Sequence, residues 1–144
     1  KYHGDRESIR TASTLLSPLI AELCARFKID ILTAIPLSQN RKYARGFNQV
    51  DLVLTHCTSL QPHLSHIFTS TVLKRTRDTR PQTKLGRDER IKNMSQAFVC
   101  TEDVRGKKIL VVDDVVTTGA TISSAALALK EAGADVYLFA IAGR

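Results

Sequence analysis

The 144-residue chain has no apolar run near the ~20 residues that a helix needs to cross a bilayer, so membrane insertion is not expected. Its start at Lys1 shows neither an initiator Met nor the apolar stretch of a signal peptide, and the expectation is a soluble fragment of a longer protein. Cysteine is scarce. Cys24, Cys57 and Cys100 are odd in number, widely spaced and without a Cys-x-x-Cys pair, which argues against a disulfide framework or structural zinc and suits a reducing cytoplasm. The one local cluster, His56, Cys57, His63 and His66, brackets Gln61-Pro62 and reads as loop surface rather than as a metal-ligand set. Internal repeats and low-complexity tracts are also missing.

What is present is an alternation of helices and strands. A hydrophobic content of 43% is enough for a sizeable core, and the length suits one domain spanning residues 1–144. The first helix, about Arg6 to Phe27, places Ile9, Ala12, Leu16, Leu19, Ile20, Leu23 and Phe27 on one side, with Asp5 as N-cap and Pro18 kinking or splitting it. Ile31 to Ile35 reads as a strand ended by Pro36, and a second helix runs from about Phe47 to Leu60. Strands near Phe68–Leu73 and Ala97–Thr101 flank a loop from Lys74 to Lys92. The pattern predicts an α/β fold with a mostly parallel twisted sheet flanked by helices.

The strongest signal is the stretch from Ile109 to Thr121. Ile109 to Val112 are apolar and mostly β-branched, as a parallel strand buried on both faces requires. The strand delivers Asp113 and Asp114 to a crevice, where their oxygens can accept hydrogen bonds from a vicinal diol and face a hard cation such as Mg²⁺, directly or through water. Thr117, Thr118, Gly119, Ala120 and Thr121 lack large side chains. Backbone N–H groups there can approach a phosphate closely at the positive end of the following helix. That helix is legible from Ile122, Ala125, Ala126 and Leu129, with Gly133 as C-cap before a strand from Val136 to Ala142. Together these residues form one βαβ unit able to hold a sugar phosphate.

Four apolar residues, two acidic ones, two apolar ones and Thr-Thr-Gly-Ala-Thr resemble the motif with which type I phosphoribosyltransferases bind phosphoribosyl diphosphate (PRPP). The resemblance implies that Asp113 and Asp114 hold the ribose hydroxyls and that Thr117 to Thr121 hold the 5′-phosphate.

The basic charge is concentrated. Lys74 to Lys92 carries eight basic residues against three acidic ones, most of the chain's surplus of +7. A loop bearing Arg75, Arg77, Arg80 and Lys84 can close over the leaving diphosphate, and the fork geometry of arginine suits that task. Arg75 joins Asp113 and Asp114 as the catalytic set. A second basic element, Arg41, Lys42 and Arg45, follows the strand ending at Pro36, again at the ligand edge of an open sheet.

The order Ile35-Pro36-Leu37, Arg41, Arg45-Gly46-Phe47-Asn48-Gln49, Lys74-Arg75, Gln82, Leu85, Arg90, Asn93, Ala97-Phe98 and Asp113 to Thr121 resembles the ComF family over almost the whole chain. Members are phosphoribosyltransferase-like, linked to natural competence, and usually carry a zinc ribbon ahead of this domain. The resemblance implies a PRPP- and Mg²⁺-binding transferase connected with DNA uptake, acting through an oxocarbenium-like state that the site surrounds with charge. Purine-salvage relatives have an Asp where this chain has Thr117, so a purine acceptor is disfavoured and the acceptor stays open. Phe47 or Tyr43 can stack on an acceptor, with a core or surface role as the plainer reading of each. The alternative is a non-catalytic single-stranded-DNA handling module that retains PRPP binding. Against it, Lys74 to Lys92 has no aromatic residue on which bases could stack. Competence-machinery proteins are further candidate partners.

Overall fold

Ile109, Leu110, Val111 and Val112 are each no more than 3% exposed, and they lie at the centre of the sheet. The computed structural model describes residues 3–38, 43, 46–76, 97–116 and 118–143. In chain order these give α1 (His3–Phe27), β1 (Ile31–Ala34), α2 (Gln49–Leu60), a 3-10 turn (Pro62–His66), β2 (Leu73–Arg75), β3 (Phe98–Cys100), β4 (Lys108–Val116), α3 (Ala120–Glu131) and β5 (Asp135–Gly143). The main sheet has the order β1-β4-β5 and is parallel throughout. Val112 on β4 lies beside Ala34 on one side and Phe139 on the other. This is the α/β fold, a parallel sheet flanked by helices, expected from the sequence.

Alternation along β4 divides the core in two. Leu110 and Val112 join Leu32, Ala34, Ile20, Val53 and Leu54 on the side covered by α1 and α2. Ile109 and Val111 join Ile122, Ala125 and Leu129 on the α3 side. The ending of α3 also follows the sequence: Gly133 adopts φ +92, its N–H reaches the Lys130 carbonyl, and the Ala134 N–H reaches that of Leu129. These paired bonds satisfy carbonyls that the last helical turn leaves open.

Helix α1 differs from its expected form in three ways. It begins at His3, so Asp5 lies inside it rather than capping it. It also continues through Pro18 without a split. Proline removes the bond to the carbonyl of Thr14, and both residues are exposed, so water can satisfy that carbonyl. Finally, Leu19 is 42% exposed, while Ser13, Ser17 and Cys24 are buried. Small side chains let α1 approach α2 closely. Ser13 Oγ donates to the Ile9 carbonyl at 2.7 Å, and Cys57 Sγ lies 3.8 Å from the Ser13 carbonyl. Cys57 is fully buried, so it belongs to this contact and not to a loop surface.

The expected strand from Phe68 to Leu73 is broken. Phe68 makes one parallel bridge to Leu32, and a bend over residues 70–72 redirects the chain into β2. There it pairs antiparallel with β3, Leu73 opposite Cys100 and Arg75 opposite Phe98, in a separate ribbon. Lys74 and Arg75 are therefore strand residues, not loop. Hydroxyls stabilise the bend: Thr71 Oγ1 donates to Glu102 Oε1 at 2.6 Å, and Thr101 Oγ1 to the Thr71 carbonyl at 2.5 Å. No helix among the described residues is long and apolar enough to cross a membrane.

Candidate functional site

Strand β4 does not stop at Val112. Asp113 lies in register with Ala140, and Val115 and Val116 continue the ladder beside Ala142 and Gly143. Two β-branched residues with a parallel partner keep the backbone extended past the carboxylates. Successive strand residues project to opposite faces, so Asp113 and Asp114 straddle the end of β4 rather than lying side by side. Each is half-buried, and each uses Oδ1 to accept the next residue's N–H: Asp114 N at 2.9 Å for Asp113 and Val115 N at 2.8 Å for Asp114. These local bonds hold both side chains in a fixed direction.

The turn after β4 leads into α3. Gly119 is the N-cap of α3 with φ +73, a conformation that side chains other than glycine's rarely adopt. It provides no side-chain cap to the first turn of α3. Thr118 Oγ1 instead accepts from Ala120 N at 3.4 Å. Thr118 and Thr121 are exposed, and Gly119 and Ala120 are half-buried. Thr117 lies outside the described residues.

The same edge is bounded by the end of β1. Ile35 N donates to the Val112 carbonyl at 3.0 Å, which places Ile35 alongside the approach to Asp113. Asn48 then ties α2 to this point. Its Nδ2 donates to the Ile35 carbonyl at 3.0 Å and its Oδ1 accepts from Val50 N at 3.1 Å. The helix therefore begins at Gln49, two residues later than the sequence suggested, because Asn48 is an extended N-cap. Asp51 in the first turn of α2 is half-buried, and burial raises its pKa above the ordinary carboxylate value against the lowering effect of its bond to the Asn48 side chain. Asn48 and Asp51 carry roles that the sequence reading did not assign. The signal was there in Asn-x-x-acid ahead of an apolar helix, the spacing of a capping box.

Arg75 is half-buried on β2, its guanidinium carbon 5.3 Å from the centre of the Phe98 ring. A cation over an aromatic face is held in direction while keeping its charge. Phe47 packs against the α1–α2 core, whereas Tyr43 is 87% exposed. Arg41, Lys42, Arg45, Arg77 and Lys84 lie outside the described residues. Among the described residues, no group of three or more His, Cys, Asp and Glu comes together. A cation at Asp113 and Asp114 would take its other ligands from water or phosphate. That donor set fits Mg²⁺, which keeps several waters and favours carboxylate and phosphate oxygens.

Comparison with known proteins agrees with this architecture. The family described as "Phosphoribosyl transferase domain" matches residues 53–142, more than half of the chain. The chain is 39% identical over 105 residues to "DNA utilization protein YhgH" of Escherichia coli strain K12, covering 73% of this chain and 45% of that protein. It is 32% identical over 142 residues to "Competence protein ComFC" of Streptococcus pneumoniae, covering 98% of this chain and 59% of the relative. A "Competence protein F" of Haemophilus influenzae is 29% identical over 111 residues, 74% of this chain and 46% of that protein. The chain thus spans about half the length of the relatives it matches. With a parallel sheet whose central strand carries Asp113-Asp114 in the last part of its ladder, a glycine-opened helix behind it and these relatives, the chain belongs to the phosphoribosyl transferase domain family and, within it, to the ComF proteins.

Proposed function

We propose that this chain binds PRPP with Mg²⁺ and transfers the phosphoribosyl group to an acceptor, in a cytoplasmic role tied to DNA uptake. The observation that carries the reading is the β4–α3 unit: two directed carboxylates at a strand end, followed by a left-handed glycine that opens a helix. The names of the relatives from Streptococcus pneumoniae and Escherichia coli support the link to competence and DNA use.

In this reading, Asp113 and Asp114 accept hydrogen bonds from the ribose 2′ and 3′ hydroxyls and fix the sugar across the end of β4. The N–H groups and hydroxyls of residues 118–121 receive the 5′-phosphate at the positive end of α3. As the bond from ribose C1 to the diphosphate breaks, positive charge develops on the ring, and the two carboxylates favour it electrostatically. Arg75, oriented by Phe98, offers a cation to the diphosphate. When bound, Mg²⁺ offsets the negative charge of the departing diphosphate.

The test is calorimetric titration of PRPP with and without Mg²⁺, for the natural chain and for Asp113→Asn/Asp114→Asn. Binding that requires the metal and weakens at least tenfold in the variant is expected. An absence of binding to the natural chain overturns the reading.

A further inference from the structure

The two sides of the main sheet end differently. Beyond β1 the Phe68 bridge continues the sheet, whereas β5 is its outer strand among the described residues. Proteins protect such edges with lysine, proline, bulges, short strands or a covering segment, because unpaired N–H and C=O groups recruit other strands. β5 uses none of the sequence devices. It is nine residues long, Asp-Val-Tyr-Leu-Phe-Ala-Ile-Ala-Gly, with no proline, no lysine and one charge at its first position. That charge is partly occupied, since Tyr137 donates its hydroxyl to Asp135 Oδ2 at 3.3 Å. Leu138 is 48% exposed, and Tyr137, Phe139 and Ile141 are only partly covered by the α1–α2 core.

The strand's own sequence is complementary to itself. We infer that β5 pairs antiparallel with β5 of a second copy of this chain, centred on Phe139, to give a continuous sheet across a twofold axis. In that register Leu138 faces Ala140 of the second copy, Tyr137 faces Ile141, and Asp135 faces Gly143. Residues directly opposite in an antiparallel pair share a face. The half-covered row of Tyr137, Phe139 and Ile141 therefore extends into the same row of the other copy. Leu138 meets the small Ala140, so bulk is opposed to space. Charge is compatible with the same arrangement: the two Asp135 carboxylates lie at opposite ends of the ribbon, and no like charges meet. A twofold pairing of this kind is isologous and closes at two copies. One strand pair covers less than the ~800 Å² per partner of a standard interface, so the association is reversible and depends on concentration.

Sedimentation of the full chain from micromolar to near-millimolar concentration tests the inference. The mass should rise from 15.9 kDa towards twice that value. Leu138→Lys, at a position exposed in the single copy, should weaken the dimer at least tenfold while leaving thermal unfolding of the dilute protein unchanged. The register has its own test. In a Cys100→Ser background, Leu138→Cys/Ala140→Cys should oxidise to a covalent dimer, because opposed Cα atoms ~4.5–5.5 Å apart are within disulfide reach. Val136→Cys in the same background should give none, since the two copies of that residue are far apart. A chain that is monomeric at every concentration, or a Leu138→Lys variant that associates as before, overturns the inference.

Discussion

Asn48 clasps Ile35. Its side-chain amide donates to the Ile35 carbonyl at 3.0 Å while its oxygen caps α2 through Val50 N, so one residue joins the end of β1 to the start of α2. Ile35 in turn donates to Val112, the residue before Asp113. A helix start, a strand end and the carboxylate pair are thus linked through two hydrogen bonds. Asn48→Ala removes the cap, typically worth ~1 kcal/mol, and leaves the Ile35 carbonyl without this donor, a loss of similar size. Urea unfolding should show a stability loss of about 2 kcal/mol from those two effects. Under the proposed function, PRPP affinity falls as well. Asn48→Asp keeps the cap acceptor but cannot donate to Ile35, so it should recover only part of the loss.

Gly119 gives a second prediction, because its surroundings separate backbone strain from crowding. A Cβ built there would meet Ser123 Oγ and Val116 Cγ1 at 4.0 Å each, ordinary contact distances. The difficulty is the φ of +73, which costs a residue with a Cβ about 1–2 kcal/mol. Gly119→Ala should therefore destabilise by about that amount, and Gly119→Asn by less, since asparagine tolerates the left-handed region better. If alanine relaxes the backbone instead, the first N–H groups of α3 turn away, and PRPP binding should fall more than stability does. Chemical denaturation and titration of the same two variants distinguish these results.

The cysteines make a third prediction. Burial pushes the thiols of Cys24 and Cys57 up to about 11. Since the thiolate is the reactive form, both should be inert at neutral pH in the folded chain. Cys100 is half-buried on β3, with its thiol donating to the Glu102 carbonyl at 3.3 Å. A colourimetric thiol reagent should therefore titrate one cysteine quickly and the other two only as the protein unfolds. Three equal rates would contradict the packing of α1 on α2.

The elements that could be read in advance are those whose side chains report their own environment. Ile109 to Val112 form an unbroken apolar run because both faces of β4 are covered, and α3 shows its buried face at helical spacing. Ser13 and Ser17 are buried on α1 without standing out in the sequence, because a serine in a helix can satisfy its hydroxyl on the preceding turn, as Ser13 does with Ile9. Leu19 misled: its position on the helical wheel is apolar, yet it is 42% exposed, and α2 meets α1 at Ser13 instead, through Val53 and Cys57. The Phe68–Leu73 run was broken by Thr71, whose hydroxyl finds Glu102, a partner 31 residues away that no local pattern shows. At the site, Asp113, Asp114 and the glycine turn were legible from residue type and order. The straddling of the carboxylates was not, because it depends on β4 continuing to Val116 beside β5.

Asp51 supplies the last prediction, in pH. Its folded pKa lies above the ordinary value of 3.8, chiefly because burial disfavours the charged carboxylate. The folded state therefore holds the Asp51 proton more tightly than the unfolded chain does. Between the unfolded and the folded pKa the folded state binds more protons, so the stability contributed by this group is present at pH below about 4 and is lost as pH rises through the folded pKa. At neutral pH, ionised Asp51 is a net burden on the fold, even though it lies in the first turn of α2, where the helix dipole favours negative charge. Asp51→Asn removes the titration while keeping the shape and a partner for Asn48. The variant should be more stable than the natural chain at pH 7, and the difference should shrink towards zero as pH falls through the carboxylate range. Urea unfolding of both proteins across that range measures the difference directly, free of the titrations they share. An Asn variant that is less stable at pH 7 would mean that the charge–dipole attraction and the bond to Asn48 outweigh desolvation at this position.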